Sequence, residues 1–134
     1  MELVKRYQIR GVPGEVSRFD FAGRTVELWA PQEPSSHLLI AHDGQNVFDG
    51  KTATHRGKTW EMAQHAFKVS HEVGVTPPVI VAVWHGPTKA DPMGRAKDLS
   101  PQRYFQETHQ MLVAIGPYKP RVFRQLRQFA IYLR

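Results

Sequence analysis

The residues best equipped for chemistry lie between Leu38 and Asp49, which read Leu-Leu-Ile-Ala-His-Asp-Gly-Gln-Asn-Val-Phe-Asp. An apolar run gives way at once to His42, Asp43, Gly44, Gln45 and Asn46. A glycine there removes a side chain that would hold the main chain away from a ligand, so backbone N–H groups can approach a negative charge. Taken alone, Asp43-Gly44 is also an ordinary turn after a strand. His42, Asp43, Asp49 and His55 share this stretch, and nitrogen and carboxylate ligands of these types suit a transition metal. No His-x-x-x-His spacing fixes a geometry, and His65 and His71 are too far apart to share a helix face. Surface or hydrogen-bonded histidines are therefore expected, with no metal and no cofactor. Cysteine is absent, which excludes disulfides, thiolate zinc sites and a Cys nucleophile.

These residues need elements to position them. Residues 16–21 and 24–30 alternate apolar and polar positions as two strands, and Ala22-Gly23 between them is short enough for a hairpin. Leu38–Ala41 suits a strand covered on both faces. His42 to Lys58, rich in Gly, Asp, Asn, Thr and Lys, reads as a long loop. A helix is expected from Thr59 or Trp60, with Ala63 and Phe67 on one face and Gly74 as its stop. Thr76-Pro77-Pro78 ends that connection, and Val79–Trp84 is the clearest strand, apolar and rich in β-branched residues. Two buried-type strands separated by a helix make a parallel βαβ unit. The fold class is thus α/β, an antiparallel hairpin followed by that unit. Residues 85–97 read as a Gly/Pro-rich loop. Ser100-Pro101 reads as a helix start, and the segment around Val122, Leu126 and Phe129 as a basic amphipathic helix. His85 lies just past the carboxyl end of a strand, the edge where open α/β sheets bind ligands, and is a candidate pocket residue. Trp29, Trp60 and Trp84 each sit on or beside a core element and are expected to pack.

The His-Asp-Gly-Gln-Asn-x-Phe-Asp run resembles the segment after the third strand of the enterochelin-esterase-like (esterase D-type) family of α/β-hydrolases. The likeness continues in chain order. Arg24-Thr-Val-Glu-Leu-Trp-Ala-Pro31 is similar to that family's second strand and exit proline. Thr59-Trp60 is similar to the start of its first helix, and Pro77-Pro78-Val79-Ile80-Val81 to its fourth strand. Arg95-x-x-Asp98-Leu99-Ser100-Pro101 resembles its Arg-x-x-Glu-Tyr-x-Pro, with Asp for Glu and Leu for Tyr. Together these cover residues 14–101. The resemblance implies the N-terminal part of an α/β-hydrolase sheet, a single partial domain over 1–134 with a divergent tail from about 102. It also implies that the N–H groups of Gly44 and Gln45 form half of an oxyanion hole. His42, Asp43, Asn46 and His85 would then line the pocket, Asp43 pinning the loop through its side chain. A small-molecule carboxylic ester is the substrate class so implied.

Serine chemistry on this fold needs Gly-x-Ser-x-Gly, followed by an acid and a His. None of Ser17, Ser35, Ser36, Ser70 and Ser100 is flanked in that way, so no catalytic residue is identifiable. An oxyanion hole without a nucleophile gives little acyl transfer. The expectation is an esterase-family chain inactive alone, its gene truncated or frame-shifted near the tail. The competing expectation is a non-catalytic remnant acting as a small binding or interaction module. Missing strands would leave the Val79–Trp84 strand at an open apolar edge, with self-association as the result.

Composition sets outer limits. With 41% hydrophobic and 22% charged residues the chain is globular in type. Much of the net charge of +6 comes from Lys119, Arg121, Arg124, Arg127 and Arg134. A basic surface for nucleic acid would be spread along a face, so a nucleic-acid partner is not expected. No apolar run reaches bilayer-spanning length and no signal-peptide pattern opens the chain, which points to no membrane and a cytoplasmic location.

Overall fold

Ala22 and Gly23 both have positive φ, 53° and 79°, the backbone that a tight two-residue hairpin requires. Asp20 Oδ1 accepts the Gly23 N–H at 2.8 Å and closes the corner. The strands on either side are β2 (Glu15–Phe21) and β3 (Arg24–Ala30), paired antiparallel in register from Glu15–Ala30 to Phe21–Arg24. This computed structural model describes residues 1–55, 57–86 and 94–99. All lie in the first of two units, Met1–Leu99 and Ser100–Arg134. The helices expected from Ser100 and across the basic tail fall outside the described residues.

Five strands form one mixed sheet in the order β1-β2-β3-β5-β4, where β1 is Glu2–Tyr7, β4 Leu38–Ala41 and β5 Val79–Val83. Helix α1 (Met62–Val73) connects β4 to β5, which pair in parallel as a βαβ unit should. The α/β class and the hairpin-then-βαβ order hold. β1 was not anticipated. Apart from Tyr7 its residues are exposed, so no apolar alternation marks it.

The open edge is not where the sequence suggested. β5 enters between β3 and β4 and is paired on both sides. Among the described residues, β4 is the edge strand at that end. Its Leu38, Leu39 and Ile40 are 62%, 39% and 59% exposed.

Alternation along β3 is present, and the buried phase is that of Glu27 and Trp29, both fully buried. Trp29 lies against Val16 and Ile80 in the ladder, and Glu27 against Arg18 and Ala82. That face packs with Ala41, Val47, Phe48 and Ala63, while Met62, Ala66 and Phe67 of α1 close over it. Burying a Trp hides about 200 Å², which at roughly 25 cal/mol per Å² stabilises by about 5 kcal/mol.

Helix α1 begins later than its periodicity suggests. The Trp60 N–H is committed to the Asn46 carbonyl at 2.8 Å, and Glu61 has φ 51° in the left-handed region. Regular helix is possible only from Met62. Trp60 therefore lies outside the helix and is 47% exposed rather than packed. At the other end Gly74 has φ 71° and the Val75 N–H reaches the Ser70 carbonyl at 2.9 Å, a Schellman ending. Residues 85–97 are not all loop: Gly94–Leu99 is a short helix, α2.

Candidate active-site loop

β4 ends at Ala41, and the chain turns immediately. Asp43 adopts φ 54°, ψ 41°, and Gly44–Asn46 form a single 3₁₀ turn. The Asn46 N–H donates to the Asp43 carbonyl at 2.9 Å and the Val47 N–H to the Gly44 carbonyl at 3.0 Å. The N–H groups of Gly44 and Gln45 precede the first of these bonds, so the turn itself supplies them no acceptor.

Glycine at position 44 is a steric necessity. A Cβ there would lie 2.7 Å from the Ala82 carbonyl carbon and 2.7 Å from Trp84 Cδ1. The turn is thus pressed onto the carboxyl end of β5, where ligands of open α/β sheets bind. Asn46 is 4% exposed and serves as a strut. Its Oδ1 accepts from the N–H and the hydroxyl of Thr54, both at 2.8 Å, and its carbonyl holds Trp60. Asn46, expected to line the pocket, thus has its Oδ1 and both backbone polar groups engaged within and beside the loop.

Asp43 pins the loop, but through a distant partner. Its side chain makes no capping bond to the turn. Instead Arg95 of α2 grips it bidentately, Nε on Oδ1 at 2.9 Å and Nη2 on Oδ2. The guanidinium holds the Asp43 carboxyl below the usual carboxylate range, outweighing burial, with His85 and Gln45 lowering it further. One turn along α2, Asp98 takes Arg24 in a second fork, at 2.7 and 3.0 Å. Asp98 also accepts the Gly86 N–H at 2.7 Å. Arg24 reaches the Trp84 carbonyl as well, at 3.1 Å. Three segments that the sequence singled out separately, around Arg24, Asp43 and Arg95–Asp98, thus meet as two crossed ion pairs.

Beneath the loop lies a buried charge network that the sequence did not suggest. Glu27 accepts from Tyr7 Oη (2.7 Å), Arg18 Nε (2.8 Å) and Trp84 Nε1 (3.1 Å). The Arg18 guanidinium stacks over the Trp84 ring, 4.8 Å from its centroid, and over Tyr7. Burial, followed by the bond to Glu27, pushes the Tyr7 phenol well above its ordinary value. Asp49 joins through Lys5 at 3.1 Å and Arg18 at 3.5 Å. Burial raises the Asp49 carboxyl, but the Lys51 N–H and these two cations outweigh it and the net shift is downward. The network orients Trp84, and Trp84 supports Gly44.

A cleft of about 500 Å³ opens beside the turn, lined among the described residues by Gln45, Thr52, Thr54, Trp84, His85 and Arg24 with neighbours. A second hollow of about 190 Å³ is lined by His42, Asp43 and His85, among others. His42, Asp43 and His85, expected as pocket residues, therefore line one hollow, and Gln45, expected in the oxyanion hole, lines the adjoining cleft with His85, Thr52 and Thr54. His85 Nδ1 lies 2.6 Å from the Gly86 carbonyl, which can only accept, so Nδ1 is the donor of that pair. Gln45 is 6% exposed, and its Oε1 has no hydrogen-bond partner among the described residues.

Among the described residues no three His, Cys, Asp or Glu side chains converge as a metal site. Asp43 and Asp49, the carboxylates with that potential, are instead committed to Arg95 and to Lys5 with Arg18. No helix among the described residues is long and apolar enough to cross a membrane. No family model, curated protein or solved structure matches the chain.

Proposed function

We propose that this chain is the N-terminal part of an esterase-type α/β-hydrolase fold, carrying the oxyanion-binding turn but no nucleophile. One observation carries the reading: the Gly44–Asn46 turn stands at the carboxyl end of a parallel strand, beside a cleft, with two leading amides that have no acceptor within the turn. The substrate class of such a site is a small carboxylic ester, whose carbonyl oxygen would become the anion those amides stabilise. Ser100 is the only serine past β5 and has no flanking glycines, so the chain is inactive alone.

The test has two parts. Purified chain is given a short-chain aryl ester and a serine-directed phosphonate; neither turnover nor labelling is expected, and either one would overturn the missing-nucleophile part. Separately, ¹⁵N-labelled chain is titrated with butyrate, a carboxylate of the product type. Saturable shifts of the Gly44 and Gln45 amides are expected. Shifts confined to the Arg-rich tail would refute the turn as an anion site.

The exposed apolar edge of β4 favours a second reading, a non-catalytic module that associates through that strand. It predicts assembly that survives loss of butyrate binding. A cytoplasmic location accords with either reading.

A further inference from the structure

We propose that Arg95, acting through Asp43, is the positioning residue that sets the Gly44–Asn46 turn, an inference that rests on the reading above only for what the turn binds. Asp43 is one of three non-glycine residues with positive φ among those described. L-residues avoid this region because Cβ crowds the following carbonyl, and Asp tolerates it best when its side chain bonds locally. A capping bond to a backbone N–H of the turn is missing here, and the local contact with the Gln45 side chain is minor beside that of Arg95. The carboxylate reaches instead across 52 positions of sequence to a planar guanidinium fork.

A bidentate fork fixes the plane of the carboxylate as well as its position. Fixing that plane restrains the Asp43 side-chain torsions, and with them the peptide whose carbonyl accepts the first bond of the turn at 2.9 Å. Burial is unequal: the Asp43 side chain is 9% exposed and that of Arg95 57%. The acid belongs to the interior, and the arginine clamps it from outside. Arg95 is itself placed, because Asp98 lies one turn along the same face of α2 and is tied to Arg24 and to the Gly86 N–H. Without the clamp, Asp43 would keep a left-handed backbone and a buried carboxylate with little to hold either.

The full ¹⁵N-labelled chain tests this. A positive φ imposes a short intraresidue HN–Hα distance, which reports the Asp43 conformation directly. Arg95→Gln is expected to lengthen that distance and to shift the Gly44 and Gln45 amides, while β2, β3 and α1 resonances stay in place. Butyrate affinity should then fall by about tenfold, the scale of one displaced charge-assisted hydrogen bond. Arg95→Lys, which keeps the charge and loses the fork, should restore part of both. An unchanged Asp43 distance with unchanged Gly44 and Gln45 shifts in Arg95→Gln overturns the proposal. If Arg95→Gln does not give a folded spectrum, Asp43→Asn, which tolerates the left-handed region but forfeits the ion pair, is judged by the same Gly44 and Gln45 criteria. A native chain that ignores butyrate, while Arg95→Gln still moves the turn, refutes the anion reading and supports the positioning role.

Discussion

Gly44→Ala isolates the contact on which the loop geometry depends. The added Cβ would meet the Ala82 carbonyl carbon at 2.7 Å, Trp84 Cδ1 at 2.7 Å and the Ala82 oxygen at 2.9 Å. Carbon atoms prefer roughly 3.5–4.0 Å, so the overlap is about 1 Å. Two of the three atoms are backbone of β5, which is hydrogen-bonded to β3 and β4 and cannot step aside. The third belongs to an indole held by Glu27. Relief must come from displacing the turn, at the upper end of the overpacking range, about 2–3 kcal/mol. For a unit of this size the melting temperature should fall by on the order of 10–20 °C. Gly74→Ala is the control: its φ is 71° and no atom lies within 4 Å of the added carbon, so only the left-handed strain of about 1 kcal/mol applies. Urea unfolding followed by far-ultraviolet circular dichroism compares the two. A Gly44→Ala cost no larger than that of Gly74→Ala would refute the packing of the turn against β5.

Glu27→Ala leaves Arg18, whose side chain is only 14% exposed, with Asp49 alone at 3.5 Å, and should destabilise by about 3 kcal/mol; an unfolding free energy from urea that falls by less than about 1 kcal/mol would show the network is wet. Strong acid should loosen α2. Asp43 and Asp98 are both lowered by their arginine partners, so their contribution is complete above the unfolded carboxylate value near pH 4 and is lost as pH falls through their lower folded values. Leu99 and Gly86 amide shifts should therefore hold from neutrality to about pH 4 and move below it; a transition centred near neutrality would contradict the assignment. Ile40→Lys places a charge on the exposed face of β4, where the native residue is 59% exposed. Sedimentation should show less self-association than for the native chain, and an unchanged distribution would exclude the β4 edge as the contact.

Local patterns made the central elements legible. Hairpin length at Ala22-Gly23, β-branched density in Val79–Val83 and the Gly74 stop all depend on neighbours within a few residues, which is why each was recovered with boundaries close to the observed ones. β1 escaped because a strand with no buried face need not alternate. The start of α1 escaped because a long-range bond from Trp60 to Asn46, added to a left-handed Glu61, overrode an otherwise helical pattern.

For the site, the sequence alone located the loop and established that cysteine chemistry and a Gly-x-Ser-x-Gly nucleophile are absent, since these are matters of residue type and order. It also marked Gly44 as a point where the main chain could approach a ligand. Only the tertiary structure showed that the main chain there is pressed onto β5 itself, because the strand order that inserts β5 between β3 and β4 is not encoded in any local pattern. It alone tied Asn46 to Thr54 and joined Asp43 to Arg95, Arg24 to Asp98 and Glu27 to Trp84. Ion pairs between residues tens of positions apart carry no sequence periodicity. Their strength is the attraction left after the cost of leaving water, and that balance is set by where the folded chain places them.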